Sequence, residues 1–79
     1  MPRFYFHTED GRPLRDRDGV SLPDLAAARL EAVRALGEIL KERSDDFWNE
    51  RMLRMSVTDQ SGLTLFLVEV SAMDSPALG

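Results

Sequence analysis

Residues 63–70, Leu-Thr-Leu-Phe-Leu-Val-Glu-Val, are apolar on both alternating faces: Phe66, Val68 and Val70 on one, Leu63, Leu65 and Leu67 on the other. Aromatic and branched residues favour a strand here, and a strand apolar on both faces needs cover on both sides. The cover must come from a chain of 79 residues. A domain of that length buries only about 60–65% of its unfolded surface. The chain has no cysteine, so disulfides and thiolate metal sites are not available to brace it. A well-made small core or association with another chain remains.

With 43% hydrophobic and 30% charged residues, 5 Gly and 4 Pro, the composition is that of a folded domain rather than a disordered chain. One domain over residues 1–73 is expected. Residues 74–79 lack periodicity and read as a frayed tail. The net charge of -4 repels nucleic acid and anionic lipid on average. Nine of the ten basic residues are Arg, a bias that a GC-rich genome explains as well as ion pairing does. The opening residues are too short and polar for a signal peptide, and no apolar run approaches a membrane span, so a cytoplasmic protein without membrane contact is expected.

Residues 3–8 alternate Phe4 and Phe6 with Arg3, Tyr5 and His7, the period of a half-buried strand. Asp10-Gly11 supplies a turn, and Pro13 restricts any strand at residues 12–15 to a short edge. Ser21-Leu22-Pro23-Asp24 reads as a capping box with Ser21 as N-cap, and Val20 and Leu25 as its hydrophobic staple. From residue 22 to about 43 helix formers follow. Leu25, Ala28, Ala32, Leu36, Ile39 and Leu40 share one face, and Glu31, Arg34, Glu38 and Lys41 lie opposite. Gly37 at the flank leaves room for a strand to approach. Phe47-Trp48 reads as a plug for one end of the core. Residues 52–58 and 63–70, joined by Asp59-Gln60-Ser61-Gly62, form a hairpin.

The expected fold is α+β: one long helix on one face of a three-stranded antiparallel sheet, four-stranded if residues 12–15 add an edge. The element order is β-(β)-α-β-β. If the helix returns the chain, strands 3–8 and 52–58 point the same way, and strand 63–70 belongs between them. The face left open shows Arg3, Tyr5, His7, Met52, Arg54, Leu65, Leu67 and Glu69, the candidate interface, while Ser21 and Asp24 serve as a structural helix cap.

The opening Met1-Pro2-Arg3-Phe4-Tyr5-Phe6-His7, the turns Asp10-Gly11 and Asp18-Gly19, and Leu22-Pro23-Asp24-Leu25 with Ala27-Ala28-Arg29 and Glu31-Ala32 resemble a bacterial family known as domain of unknown function 6894. Its members are short proteins, chiefly alphaproteobacterial. The resemblance covers nearly the whole chain, closely in the first half and loosely in the second, and implies no activity, ligand or catalytic residue.

No catalytic constellation is apparent. His7 near Glu69 would need a second poised group and a cleft to act in acid-base catalysis. Asp16, Asp18 and Gly19 suggest a calcium loop, but Leu14 and Leu25 occupy its first and last ligand positions, so no metal or cofactor is expected. Arg3, Tyr5, His7 and Arg54 could hold single-stranded nucleic acid, though one aromatic is a thin platform and the net charge opposes it. An apolar centre of Leu65, Leu67 and Met52 ringed by Tyr5, Arg3, Arg54 and Glu69 has the anatomy of a protein interface. The leading expectation is a non-enzymatic interaction module that pairs with itself as a homodimer or with another protein, by the open face or by a sheet edge. The alternatives are a single-stranded nucleic-acid-binding or regulatory module and, less favoured, a small enzyme or metal-binding protein.

Overall fold

The computed structural model describes residues 1–78. Gly79, the last residue of the expected tail, lies outside the described residues. The chain forms β1 (Arg3–Glu9), β2 (Pro13–Leu14), β3 (Val20–Ser21), α1 (Leu25–Glu42), a four-residue helix α2 (Phe47–Glu50), β4 (Met52–Thr58) and β5 (Thr64–Ser71). Pro76–Leu78 closes it with one 3-10 turn. This is the α+β fold of one long helix and an antiparallel sheet, with order β2-β1-β4-β5 and β3 added on β1.

The strand order differs from expectation: β4 is central, antiparallel to both β1 and β5, and β5 lies at the edge. The cause is the segment between β1 and α1. Leu14 pairs with Thr8, Ser21 pairs with Arg3, and the Leu22 N–H donates to the Pro2 carbonyl at 3.0 Å. The chain is thus carried back along β1 before the helix begins. Helix α1 then runs in the direction of β1, and β4 returns antiparallel to β1.

Between the two contacts on β1 the register slips by two residues, and residues 15–19 loop out. The side chain of Asp16 replaces the missing ladder partner: its Oδ2 accepts the Phe6 N–H at 3.0 Å. A strand N–H that would otherwise be orphaned is thereby satisfied.

Helix α1 starts later than the sequence pattern suggests. Asp24, not Ser21, is the N-cap: its backbone is extended and its Oδ1 accepts the Ala27 N–H at 2.8 Å. Ser21 is engaged in β3, and the next two residues connect that strand to the helix. A side-chain cap of this kind contributes about 1 kcal/mol. At the other end Arg43 donates its N–H to the Ile39 carbonyl, and the Ser44 hydroxyl donates to that of Lys41.

The core is thin. Helix α1 buries Ala28, Ala32 and Leu36 against Phe4 of β1 and Leu53, Met55 and Val57 of β4. The two alanines bring the helix axis close to the sheet, and burying side chains such as Met55 and Val57 stabilises by about 1.5–3 kcal/mol each. Phe66, Val68 and Val70 of β5 pack on this cluster but remain half-buried, since the fully buried strand residues all lie on β1 and β4. Phe47 packs on the core as expected of an end plug, whereas Trp48 is 52% exposed and stacks under the Arg51 guanidinium. Gly37 faces open space rather than an approaching strand. Arg51 also holds Asp74 at 3.2 Å, tying down the start of the tail. Among the described residues no helix is long and apolar enough to cross a membrane.

Candidate functional site: the open sheet face and the β5 edge

The face of the sheet turned away from α1 carries Arg3, Tyr5, His7 and Glu9 from β1, Met52, Arg54, Ser56 and Thr58 from β4, and Leu67 and Glu69 from β5. Much of it is occupied with holding the chain together. Arg3 donates to the Asp18 carbonyl at 2.7 Å. Arg3 and Tyr5 press on Gly19, where a Cβ would lie 2.9 Å from Arg3 Cγ and 2.8 Å from Tyr5 Cε2.

His7 is committed on both nitrogens. Nδ1 accepts the Asp16 N–H at 3.0 Å, and Nε2 lies 3.0 Å from Thr58 Oγ1. It does not meet Glu69, which is two strands away because β4 lies between them. Glu69 instead accepts both Nε and Nη2 of Arg54, at 2.9 and 2.7 Å, across neighbouring strands. The hydrogen bonds to this carboxylate and its charge raise the Arg54 guanidinium pKa further.

Asp16 is the hub of this side of the molecule. Besides Phe6, its carboxylate accepts the N–H groups of Asp18 and Gly19 at 3.0 and 3.1 Å. Burial opposes the charge, but these three donors and the nearby His7 outweigh it and hold the carboxyl below the usual aspartate range. Three N–H donors thus converge on Asp16, which anchors the loop. Among the described residues no three His, Cys, Asp or Glu side chains converge as a metal site.

The expected apolar centre of the open face does not assemble. The β4–β5 register shifts beside Val57 and Thr58, so that Thr64 pairs with Thr58 while Phe66 pairs with Val57. Leu65, the extra residue of this bulge, packs against the core rather than pointing outward. Met52 sits half-buried at one end of β4, and Leu67 is 57% exposed on the edge strand. What remains in the middle is polar. A shallow groove of about 480 Å³ is lined by His7, Arg15, Arg54, Ser56, Thr58 and Thr64 among others. Arg15, Ser56 and Thr64 have no signal in the sequence that would single them out; they meet only through the pairing of β1, β4 and β5.

The edge of β5 is the more distinctive surface. It is eight residues long, lies outermost in the sheet and carries neither Pro nor Lys. The Ala72 N–H donates to the Arg51 carbonyl at 2.9 Å just beyond the ladder. In an antiparallel ladder hydrogen-bonded pairs alternate, so Val70, Val68 and Phe66 also direct their backbone groups to β4. Leu67, Glu69 and Ser71 therefore direct N–H and C=O outward, with Leu67 exposed beside them and the half-buried Phe66, Val68 and Val70 on the helix side.

No curated protein matches the chain, and no solved structure does. One family does: the model described as Domain of unknown function (DUF6894) matches residues 3–71. That span runs from the first residue of β1 to the last of β5 and takes in the return segment, the helix and the hairpin. The chain therefore belongs to the DUF6894 family.

Proposed function

We propose that the chain is a non-enzymatic protein-interaction module whose working surface is the β5 edge of its sheet. The observation that carries this reading is an unprotected edge strand with outward Leu67, Glu69 and Ser71 backbone groups and apolar side chains on both faces. Natural sheets blunt such edges with lysine, proline or a covering segment. Here one bulge at the start of β5 and a neutralised Glu69 are the only such features of the strand. An extended segment laid along it gains main-chain hydrogen bonds and covers Phe66, Val68 and Val70.

His7 speaks against catalysis, since both of its nitrogens are engaged in structure. Arg3, Tyr5 and Arg54 are likewise engaged, which favours protein over nucleic acid as the partner.

Incorporating a photoreactive amino acid at Leu67, and as a control at the exposed Leu30 on the back of α1, tests the reading in cells. A discrete adduct is expected from position 67 and not from 30, lost when Glu69→Pro removes an outward N–H. No adduct from 67, or equal labelling from both positions, overturns it.

A further inference from the structure

We infer that the strand added at this edge is β5 of a second copy of the same chain, antiparallel, with a two-fold axis passing beside Val68. The inference rests on reading β5 as the interaction edge and names its partner. A two-fold axis normal to the sheet keeps both helices on one side and joins two four-stranded paths into one continuous sheet.

Backbone parity restricts the register. Only residues directing their groups outward can exchange hydrogen bonds across the new seam, so Leu67, Glu69 and Ser71 must pair among themselves or with the bulge end of the strand. An axis at Glu69 sets two carboxylates opposite each other. An axis at Leu67 sets Glu69 against Leu65, which the bulge has turned into the core, and leaves Val70 facing Thr64.

An axis at Val68 avoids both faults. Leu67 exchanges two main-chain hydrogen bonds with Glu69 of the second copy, and the symmetric pair adds two more. On the helix side Val68 meets its own counterpart and Phe66 meets Val70 twice, an aromatic and β-branched pairing that sheets favour. The three half-buried residues of β5 thus cover one another. Glu69 enters the seam already paired with Arg54 at 2.7 Å, so no unpaired charge is added. Helix α1, seated over β1 and β4, leaves the β5 side accessible.

The absence of cysteine from the chain makes the test clean. In the proposed register Val68 and its counterpart form a non-hydrogen-bonded pair with Cα atoms about 4.5 Å apart, within disulfide reach. Val68→Cys is expected to give a covalent dimer on mild oxidation, whereas Leu67→Cys stands diagonal to its counterpart and Val70→Cys four positions from its own, so both stay largely monomeric. Wild-type protein is expected to sediment as a dimer. Its Leu67 and Glu69 amides, which point away from β4, are expected to exchange about ten-fold or more slowly at high than at low protein concentration. This last measurement needs no substitution and decides the matter even where Val68→Cys does not fold.

A dimer that cross-links through position 67 or 70 instead of 68 overturns the register. A wild-type chain that stays monomeric with fast-exchanging Leu67 and Glu69 amides overturns the identity of the partner. If photoadducts still form from position 67 to a different protein in cells, the reading of β5 as an interaction edge stands while the second copy is ruled out.

Discussion

The Asp16 N–H donates to Nδ1 of His7 at 3.0 Å, which makes a loop backbone the partner of the chain's one histidine. A ring nitrogen that accepts an N–H carries no proton, so the neutral imidazole holds its hydrogen on Nε2 and donates it to Thr58 Oγ1. Long-range proton–nitrogen spectra at about pH 8, where imidazoles are commonly neutral, should show the Nε2–H tautomer. A dominant Nδ1–H pattern contradicts this geometry. Thr58→Val, which removes the acceptor, is expected to cost about 1 kcal/mol in urea unfolding.

Acid should find the same loop. The Asp16 carboxyl titrates lower in the folded chain than in the unfolded one, because burial is outweighed by the N–H donors of Phe6, Gly19 and Asp18 and by His7. Its stabilising contribution is therefore complete above about pH 4, the unfolded value, and is lost as pH falls through the lower folded value. Asp16→Asn is expected to lower stability by about 2 kcal/mol at neutral pH, and the gap to wild type should narrow on acidification below about pH 4. A gap that is constant with pH counts against the hub. Asp59 is held low in the same sense by the Ser61 hydroxyl and the Leu63 N–H, so Asp59→Asn should weaken the pH dependence in the same window.

Two glycines should respond in opposite directions to the same change. Gly19 has φ +72, and its Cβ would lie 2.8 Å from Tyr5 Cε2 and 3.0 Å from the Phe4 carbonyl oxygen, a backbone atom that cannot swing away. Gly19→Ala is expected to destabilise by about 1–3 kcal/mol. Gly37 lies within α1 with nothing within 4 Å of its Cβ position, so Gly37→Ala should stabilise by about 0.5–1 kcal/mol. Thermal melts of the two variants check both signs.

The start of α1 offers a similar contrast. Asp24→Ala removes the side-chain acceptor of the Ala27 N–H and should cost about 1 kcal/mol. Ser21→Ala, in a short exposed strand, should cost a few tenths at most. Equal losses in chemical denaturation would restore Ser21 as a cap.

The helix, the hairpin and the inward faces of β1 and β4 follow from periodicity alone, because each is long enough to repeat its pattern. The neighbours of each strand do not, since alternation says which side a residue faces and nothing about which strand lies beside it. Here the deciding segment is made of two strands of two residues each, Pro13–Leu14 and Val20–Ser21, too short to show a period. The carboxylate of Asp16 stands in for the ladder between them, and the sequence displays it only as one acidic residue in a charged turn. With the strand order goes the candidate site. Glu69 passes from His7 to Arg54, and Leu65 turns into the core at a bulge that adds a single residue. Leu67 and Glu69 are the residues of the expected face that lie on the edge strand β5, with Arg54 bound to Glu69 from β4.

The two pairings of the middle strand β4 differ in the length of chain they span. The β4–β5 hairpin closes over the few residues between Thr58 and Thr64 and forms as a local event, whereas β1 must bridge roughly forty residues to reach β4. During synthesis β1 waits on the helix and the return segment, and its core face with Phe4 is completed only when β4 emerges from the ribosome. Until β1 docks, the nascent hairpin has two open sides. The return segment occupies the far side of β1, so when β1 docks on β4 the side left open is that of β5. Slow docking of β1 would therefore favour hairpin-to-hairpin pairing on the wrong side, and slowing that step should show itself first as aggregation during expression rather than as a lower melting temperature.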